Sequence, residues 1–383
     1  MAHSLPTNDE KLAVLDAYSR REPVRVPVSL KTNPRIWVQD PKLNTEGWTF
    51  ERIESDPEVH VQAALRYQHH LCTEIRRHCD GLAGIPDEWN VNLWIYNVHE
   101  AACLGAQVKY PPGQVPCTEP FLAEPNKNAV FECDISRPLE IPFIRGLLDF
   151  WKEMERICAG MRFEGRPVRL WPFAIQGTDG PFTVGCDLRG GEFLVDLLDD
   201  PDYADRLMGL VTDFAINRRR AFEEHWGSRI SPMNWMADDS ITMLSPEMYR
   251  ERVLPFHRRF YEAADPALPR GMHLCGDATR HFGTIRDEFG VQSFDTGFPV
   301  DHGALRRKLG PDVELVGGVE ASLLVKGTPD QVFTRAKEIL QTGVMDGGRF
   351  VLSEANNLPP CCPPDNLAAM YAAGLEFGRY DRP

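Results

Sequence analysis

The feature that most constrains the fold is a regular alternation of short apolar segments with segments of helical periodicity from about residue 145 onward. The apolar segments read as strands, and several of them, such as 313–319, are almost entirely apolar, which is typical of a sheet covered on both faces. The predicted strands are 168–175, 232–237, 270–275, 291–296, 313–319 and 349–354. Helices are predicted between them at 201–226, 278–289, 302–309 and 329–342, with 364–378 at the end. Strands that alternate with helices in this way form parallel βαβ units.

The chain length then selects among the parallel α/β architectures. About eight such units fit in 383 residues, which predicts an α/β protein with a (β/α)8 TIM-type barrel. A doubly wound open sheet is the alternative. We expect one barrel domain over 1–383 with an N-terminal extension. Residues 80–145, rich in Pro, Gly, Asn and aromatic residues, are predicted to form an irregular segment that covers the substrate.

Charge and hydropathy exclude several function classes. The net charge is −14 and the pI is about 5.3, which disfavours nucleic-acid binding because phosphates need a basic surface. No run of 18 or more apolar residues occurs, so no membrane span is expected. Ten scattered cysteines without an export signal predict reduced thiols and a cytoplasmic protein. The expected partners are small molecules or other proteins, and a homodimer is left open.

His273 and Cys275 form the most specific chemical motif. They lie two residues apart on a predicted strand that ends in Gly276, so their side chains point to the same side. Active sites in barrels lie at the carboxyl ends of the strands. An imidazole and a thiolate at this place suit zinc, whereas the simpler interpretation is a packed histidine beside a buried cysteine.

Acidic residues at other strand ends extend this candidate site. Asp295 ends the next strand, about 4.8 Å away, and is predicted as the third metal ligand. Asp238, Asp239 and Glu354 are the candidates for proton transfer or substrate orientation. The alternatives are a capped, solvated turn for Asp238 and Asp239, and a salt bridge at the barrel mouth for Glu354.

Three tryptophans are candidates for an aromatic substrate wall. Trp89 and Trp94 lie in the irregular segment, among Asn and Asp residues, and Trp235 lies on a predicted barrel strand. Each also fits the apolar core. A wall of this kind predicts an aromatic substrate.

Several short motifs follow one another in a characteristic order along the chain. They are Arg21-Glu22-Pro23-Val24, Gly180-Pro181-Phe182-Thr183, Asp238-Asp239 with Ser245-Pro246-Glu247, His273-Leu274-Cys275-Gly276, Gly327-Thr328-Pro329 and Asn357-Leu358-Pro359-Pro360. By this ordered set the chain resembles the uroporphyrinogen decarboxylase superfamily over most of its length. The resemblance implies a (β/α)8 barrel.

Within that superfamily the resemblance favours the methyltransferase branch. Decarboxylases carry an N-terminal arginine-rich signature, where this chain has only Lys31-Thr32-Asn33-Pro34-Arg35. The methyltransferases carry His-x-Cys, bind zinc and exchange methyl groups with a corrinoid protein. By similarity to cobalamin-independent methionine synthases, His273, Cys275 and Asp295 would bind the metal. Asn356 stands where those enzymes have a last-strand cysteine, and is predicted to contact substrate, with Glu354 or Cys361 as alternative ligands.

These observations predict a zinc-dependent methyltransferase that moves a methyl group between a small substrate and a corrinoid (cobalamin) carried by a partner protein. A methoxylated aromatic, which would be O-demethylated, is the expected substrate. A metal-free decarboxylase is the alternative, and a non-catalytic barrel that binds a small ligand is a third hypothesis.

Overall fold

Parallel strands and intervening helices make up most of the molecule, for which we use a computed structural model that describes residues 5–380. The strands are β1 (Trp89–Val91), β2 (Val108–Lys109), β3 (Cys117–Thr118), β4 (Arg162–Phe163), β5 (Arg166–Leu170), β6 (Asn234–Ala237), β7 (Arg270–Leu274), β8 (Ser293–Thr296), β9 (Glu314–Glu320) and β10 (Phe350–Ala355).

Eight strand positions follow one another around the sheet. Strands β6 to β10 are parallel neighbours in chain order. The chain before β6 continues this order, because Thr178 bridges in parallel to Met236, and at the other edge Val28 bridges in parallel to Leu352. Strands β1 and β5 pair in parallel in between. The Val28 segment is the first position, β1 the second, β5 with Thr178 the third, and β6 to β10 the remaining five. This succession is that of the predicted (β/α)8 barrel.

The helices agree with the predicted positions to within a few residues. The α-helices are Asn8–Ser19, Arg35–Val38, Phe50–Ser55, Pro57–Thr73, His99–Cys103, Pro142–Cys158, Pro181–Arg189, Glu192–Asp199, Pro201–Trp226, Pro246–Met248, Leu254–Glu262, Thr279–Phe289, His302–Leu309, Ala321–Lys326, Pro329–Ile339 and Pro364–Phe377. Short 3-10 helices occupy Ile75–His78, Ala129–Glu132, Pro138–Glu140, Gly227–Arg229, Asp239–Met243 and Asp346–Gly348, and π-helical turns occupy Tyr249–Val253 and Leu340–Val344. Side-chain oxygens cap two of the predicted starts, where Ser245 accepts from the Met248 amide and Thr328 from the Gln331 amide.

The irregular segment contributes to the mouth of the barrel. It contains the small antiparallel pair β2–β3, and residues 95–97 and 115–116 line the same cavity as the strand ends. All ten cysteines are free. None of the helices within residues 5–380 is long and apolar enough to cross a membrane.

Apolar side chains of the barrel strands and of the surrounding helices form one buried core. Met272 and Leu274 of β7, Phe294 of β8 and Leu315 of β9 are all fully buried. Burial of each such side chain contributes roughly 1.5–3 kcal/mol. His273 and Asp295, which alternate with these residues along β7 and β8, lie in register as strand neighbours. The same pairing that builds the core therefore sets two polar groups side by side at the strand ends.

Candidate functional site

The carboxyl ends of the barrel strands surround a cavity of about 690 Å³, which we call the central cavity. Its lining includes most of the predicted site residues, namely Trp235, Asp239, His273, Cys275, Asp295 and Asn356. A cavity of this size holds a small organic molecule. The strand ends thus bring together side chains that are up to 121 positions apart in the chain.

His273 and Cys275 converge as their spacing on β7 predicted. The imidazole Nε2 lies 3.0 Å from the Cys275 Sγ. The opposite ring nitrogen, Nδ1, lies 2.8 Å from the Asp295 Oδ2 and donates to it. Burial alone would lower the pKa of His273, but the contacts with Asp295 and Cys275 outweigh it and raise the pKa to about 10. A hydrogen-bonded Nδ1–H leaves Nε2 as the nitrogen available for a metal.

Asp239 completes the cluster at this point. Its Oδ1 accepts a hydrogen bond of 2.7 Å from the Cys275 amide. One ligand atom each from Asp239, His273 and Cys275 lies within 4.8 Å of the others. A carboxylate oxygen, an imidazole nitrogen and a thiolate form a donor set that suits Zn²⁺, with the fourth position open to substrate. The chemistry of these three groups therefore fits the implied metal.

Asp295, predicted as the third ligand, occupies a different place. Its carboxylate is hydrogen-bonded to Nδ1 of His273, on the ring edge away from Cys275, and forms an ion pair with Lys31. Burial would raise the pKa of Asp295, but His273 and Lys31 outweigh it and hold the pKa below its usual value. A carboxylate that accepts from the second nitrogen of a ligand histidine fixes the tautomer and orientation of the ring. Strand register sets Asp295 beside His273, so its carboxylate meets the Nδ1 edge of the ring, whereas the Asp239 carboxylate contacts the Cys275 amide.

Asp238, the neighbour of Asp239, does not line the central cavity. It is fully buried and accepts hydrogen bonds from the amides of Phe182 and Thr183, at 3.1 and 2.8 Å. The Thr183 hydroxyl donates to it at 2.7 Å, and the His257 Nε2 lies 2.8 Å away. A carboxylate at the first turn of helix Pro181–Arg189 also favours the helix dipole. The contacts of Asp238 are those of a structural anchor.

Glu354 belongs neither to the lining of the central cavity nor to the cluster of Asp239, His273 and Cys275. Its side chain is fully buried, and its carboxylate accepts from the Lys31 amide at 2.8 Å and from the Ser353 hydroxyl at 3.2 Å. Burial raises the pKa of Glu354 to about 7. It thereby links β10 to the segment that carries Lys31, the partner of Asp295.

The three candidate tryptophans separate in space. Trp235 lines the central cavity and lies across Gly271 of the neighbouring strand, where an added Cβ would come within 2.1 Å of the indole. Trp89 is buried in the core, and its Nε1 donates to the Phe163 carbonyl at 2.9 Å. Trp94 lines a smaller neighbouring cavity. Of the predicted aromatic wall, Trp235 alone faces the metal candidates.

The positions of Asn356 and of the nearby cysteines show which thiol reaches the central cavity. Asn356 lines the central cavity at the end of β10, in the left-handed region with φ +85°. Cys361 is exposed and borders another cavity, and the Cys362 thiol donates to the Leu324 carbonyl. Within the described part of the chain, Cys275 is the only cysteine that lines the central cavity.

A second polar group, which the sequence analysis did not name, borders the same cavity through His99 and Asp179. His99, Glu100 and Asp179 offer ligand atoms within 4.8 Å of one another. Glu100 is satisfied by the Asp179 amide at 2.6 Å and by Arg218 at 2.9 Å. The His99 Nδ1 lies 3.0 Å from the Tyr96 carbonyl, and its Nε2 is buried without a partner among residues 5–380. His99 begins the helix that follows β1, eight residues after the strand ends. Its place in the segment between a strand and the next helix was the signal available in the sequence.

The pKa values of His99 and Asp179 are shifted in opposite directions. Burial lowers the pKa of His99 to about 4, so its ring is neutral at pH 7. Burial and the charge of Glu100 raise the pKa of Asp179 well above its usual value. Burial and Glu100 therefore favour the protonated form of Asp179, and His99 offers a lone pair that can accept a hydrogen bond.

Cys275 also borders a second opening, which we call the outer cavity. It has a volume of about 570 Å³, and its lining includes Arg35, Cys275, Phe298 and Asn356. The Phe298 ring is half exposed. The thiol thus lies where the central cavity meets an opening bordered by an exposed aromatic side chain.

Comparisons with known proteins identify the family of the chain. Residues 9–377 match the family described as uroporphyrinogen decarboxylase (URO-D). A methylated-thiol–coenzyme M methyltransferase of Methanosarcina mazei is 30% identical over 292 residues, 74% of this chain and 71% of the relative. The methylcobamide:CoM methyltransferase MtbA of Methanosarcina acetivorans is 24% identical over 203 residues, 52% of this chain and 56% of the relative.

A solved structure, a methyltransferase from Methanosarcina mazei, covers 97% of this chain and 99% of its own with a TM-score of 0.64 and 20% identity. At that identity the match establishes a shared fold. Together with the family match, it confirms the predicted barrel.

Proposed function

The chain belongs to the uroporphyrinogen decarboxylase (URO-D) family, and from that premise we propose that it is a zinc-dependent, corrinoid-linked methyltransferase. A methyl group moves between a small substrate in the central cavity and the cobalt of a corrinoid protein. Relatives at 24–30% identity carry the names of coenzyme M methyltransferases, one of them for methylated thiols and one for methylcobamide. Their names support the reaction class, and the substrate is argued from the site.

The convergence of His273 Nε2 and Cys275 Sγ at 3.0 Å, beside Asp239, carries the proposal. These groups would hold Zn²⁺, which supplies a Lewis acid that stabilises negative charge developing on the substrate heteroatom. Asp295 keeps the Nδ1 proton of His273 in place, and Lys31 neutralises the Asp295 carboxylate. The ring is therefore oriented before substrate enters.

The donor set supports an oxygen substrate over a thiol. Cys275 is the only thiol among the described lining residues, and Asn356 stands at the end of β10. A site with one thiolate and one carboxylate is harder than a site with two thiolates, and hard sites prefer oxygen ligands. Trp235 provides a flat wall in the same cavity. A methyl aryl ether, which has an oxygen and a flat ring, fits both features.

The reaction balances with groups of the cavity together with the corrinoid that a partner protein would supply. The bond between the ether oxygen and the methyl carbon breaks, and its electron pair leaves with the oxygen. The corrinoid of the partner protein would supply a Co(I) nucleophile, whose electron pair would form the new bond to the methyl carbon. The phenolate so formed takes a proton from the Asp179 carboxyl, whose pKa burial and Glu100 hold above its usual value.

The outer cavity is the proposed approach for the corrinoid protein. Cys275 borders both cavities, so a cobalt presented from the outer side meets a methyl group held on the inner side. The half-exposed Phe298 at this opening provides apolar surface for a partner.

The charge of the central cavity disfavours the alternative of a porphyrin-type decarboxylase. Arg35 is the one permanently cationic side chain among its described lining residues, whereas Asp239 and Asp295 are acidic. Lys31 is already paired with Asp295. A substrate with several carboxylates would therefore meet like charges, which raises its free energy of binding.

An anaerobic assay with cob(I)alamin tests the proposed function. We expect a methoxylated aromatic, such as a methoxybenzoate, to convert cob(I)alamin to methylcob(III)alamin, with the free phenol as second product. Methylated thiols should react at least about tenfold more slowly, because the single thiolate favours oxygen ligands. The absorbance change of cobalamin measures the rate. Preference for the thiol would reject the substrate class, and absence of methylcobalamin with every methyl donor would reject the function.

A further inference from the structure

A separate cavity of about 340 Å³ lies beside the central cavity, between helices Phe50–Ser55 and Pro142–Cys158 and the loop after β1. We call it the aromatic cavity, because its lining includes Trp94, Tyr96, Tyr110, Phe143 and Phe150, together with Glu54 and His60. Tyr96 and Ile95 belong to the lining of both cavities. The methyl-transfer reaction assigns no role to these groups.

Glu54 is the single acidic group of this aromatic lining. Its Oε2 accepts a hydrogen bond of 2.8 Å from the Tyr110 hydroxyl. Its Oε1 is buried without a partner, and so is the Tyr96 hydroxyl, within the described residues. No ion pair joins Glu54 to a Lys, Arg or His side chain in residues 5–380. A carboxylate with a buried, unpaired oxygen and no counterion is costly, so a cationic ligand would stabilise its ionised form.

The walls of the aromatic cavity are neutral and rich in π-faces. Trp94 packs against His60 with ring centroids 4.9 Å apart, and His60 packs against Phe150 at 5.5 Å. Burial lowers the pKa of His60 to about 4, so this ring adds no positive charge at pH 7. Faces of Trp, Tyr and Phe rings attract cations, and aromatic cages are a known means of holding quaternary ammonium groups.

We propose that the aromatic cavity binds an organic ammonium cation, with the Glu54 carboxylate as counterion and the surrounding rings as cation–π partners. The volume of about 340 Å³ admits a cation of the size of choline. A neutral apolar molecule would fill the same space but would leave the carboxylate without a counterion. The unpaired Tyr96 hydroxyl offers a hydrogen bond to a polar substituent of the ligand.

Calorimetric titration with choline and with its neutral isostere 3,3-dimethylbutan-1-ol tests the proposal on the unmodified protein. Choline should bind at least about tenfold more tightly, because the two molecules differ in charge and hardly in shape. Equal affinity, or no saturable choline binding, would overturn the proposal. This comparison needs no variant and so does not depend on the folding of one.

Substitution at Glu54 gives a second test of the proposal. Glu54→Gln should lose choline binding, whereas Glu51→Gln, an exposed change of equal charge on the same helix, should keep it. Cys275→Ser should also keep it, which separates this site from the methyl-transfer site. Choline binding retained by Glu54→Gln would contradict the assignment of the counterion. If circular dichroism shows that Glu54→Gln is unfolded, the isostere comparison decides.

The pH dependence of choline binding gives an independent signature. Burial raises the pKa of Glu54 to about 7, against a lowering by the Tyr110 hydrogen bond. His60 remains neutral above pH 5, burial raises the pKa values of Tyr96 and Tyr110, and Glu51 is exposed to solvent. Affinity should therefore increase by about tenfold from pH 6 to pH 8, since only the ionised carboxylate attracts the cation. An affinity that falls over this range would contradict the role of Glu54.

Discussion

A Cys275→Ser variant should contain less than about a tenth of the zinc of the unmodified protein, because a serine hydroxyl is not ionised near neutral pH and binds zinc far more weakly than a thiolate. Its rate of methyl transfer should fall by more than about 100-fold. Loss of a group that only orients a ligand already costs about 10- to 100-fold, so loss of the ligand itself should cost more. Zinc content by atomic emission and the cobalamin assay measure the two effects.

Two matched variants make this result specific. Cys361→Ser removes an exposed thiol that borders another cavity, and it should keep both zinc and activity. Asp295→Asn removes the charge that orients His273 and should lower the zinc affinity by about 10- to 100-fold without abolishing binding. Full zinc content in Cys275→Ser, or complete loss in Cys361→Ser, would contradict the proposed ligand set. Complete loss in Asp295→Asn would restore Asp295 as a ligand.

An Asp238→Ala variant should lose about 3–5 kcal/mol of unfolding free energy, the loss expected when one partner of a buried polar pair is removed. Four groups donate to this carboxylate or face it, from Phe182, Thr183 and His257. Their hydrogen bonds cannot be replaced by water, because Asp238 is fully buried. Equilibrium unfolding in urea measures the change.

The control for this prediction is Asp312→Ala, since the Asp312 side chain is 88% exposed. It should change stability by less than about 0.5 kcal/mol. Asp238→Asn keeps the shape of the side chain but only one acceptor oxygen. Its loss of unfolding free energy should therefore lie between the losses of the two alanine variants. If Asp238→Ala were as stable as Asp312→Ala and yet inactive, Asp238 would be a catalytic residue rather than a structural anchor.

The barrel was predictable because its signals are local. Apolar strands such as β9, and helix starts such as Ser245 and Thr328, are encoded within a few residues, and the structure has them where the pattern predicts. The convergence of His273 and Cys275 was also predictable, since it follows from the two-residue period of one strand.

The ligand set depends on contacts that no local pattern encodes. Asp295 and His273 were expected to be close, and they are strand neighbours, but which edge of the imidazole the carboxylate meets depends on the rotation of the ring. Asp238 and Asp239 are adjacent in sequence, yet their side chains go to opposite sides, one to a helix start and one to the cavity. The contribution of Lys31 comes from 264 residues before Asp295.

The places of the three tryptophans also could be predicted only in part from the sequence. Trp89 lies within β1, where alternate side chains are buried, and it enters the core. Trp94 lies beyond the end of that strand and reaches a cavity. Composition gave all three tryptophans equal weight, whereas the fold separates Trp89, which packs in the core, from Trp235 of β6, which lines the central cavity.

X-ray absorption at the zinc edge is the most direct measurement of the central claim, a metal centre with one thiolate ligand at the barrel mouth. The proposed ligand set predicts one sulfur at about 2.3 Å and nitrogen or oxygen atoms at about 2.0–2.2 Å. Two or more sulfur ligands, or a zinc shell without sulfur, would contradict it.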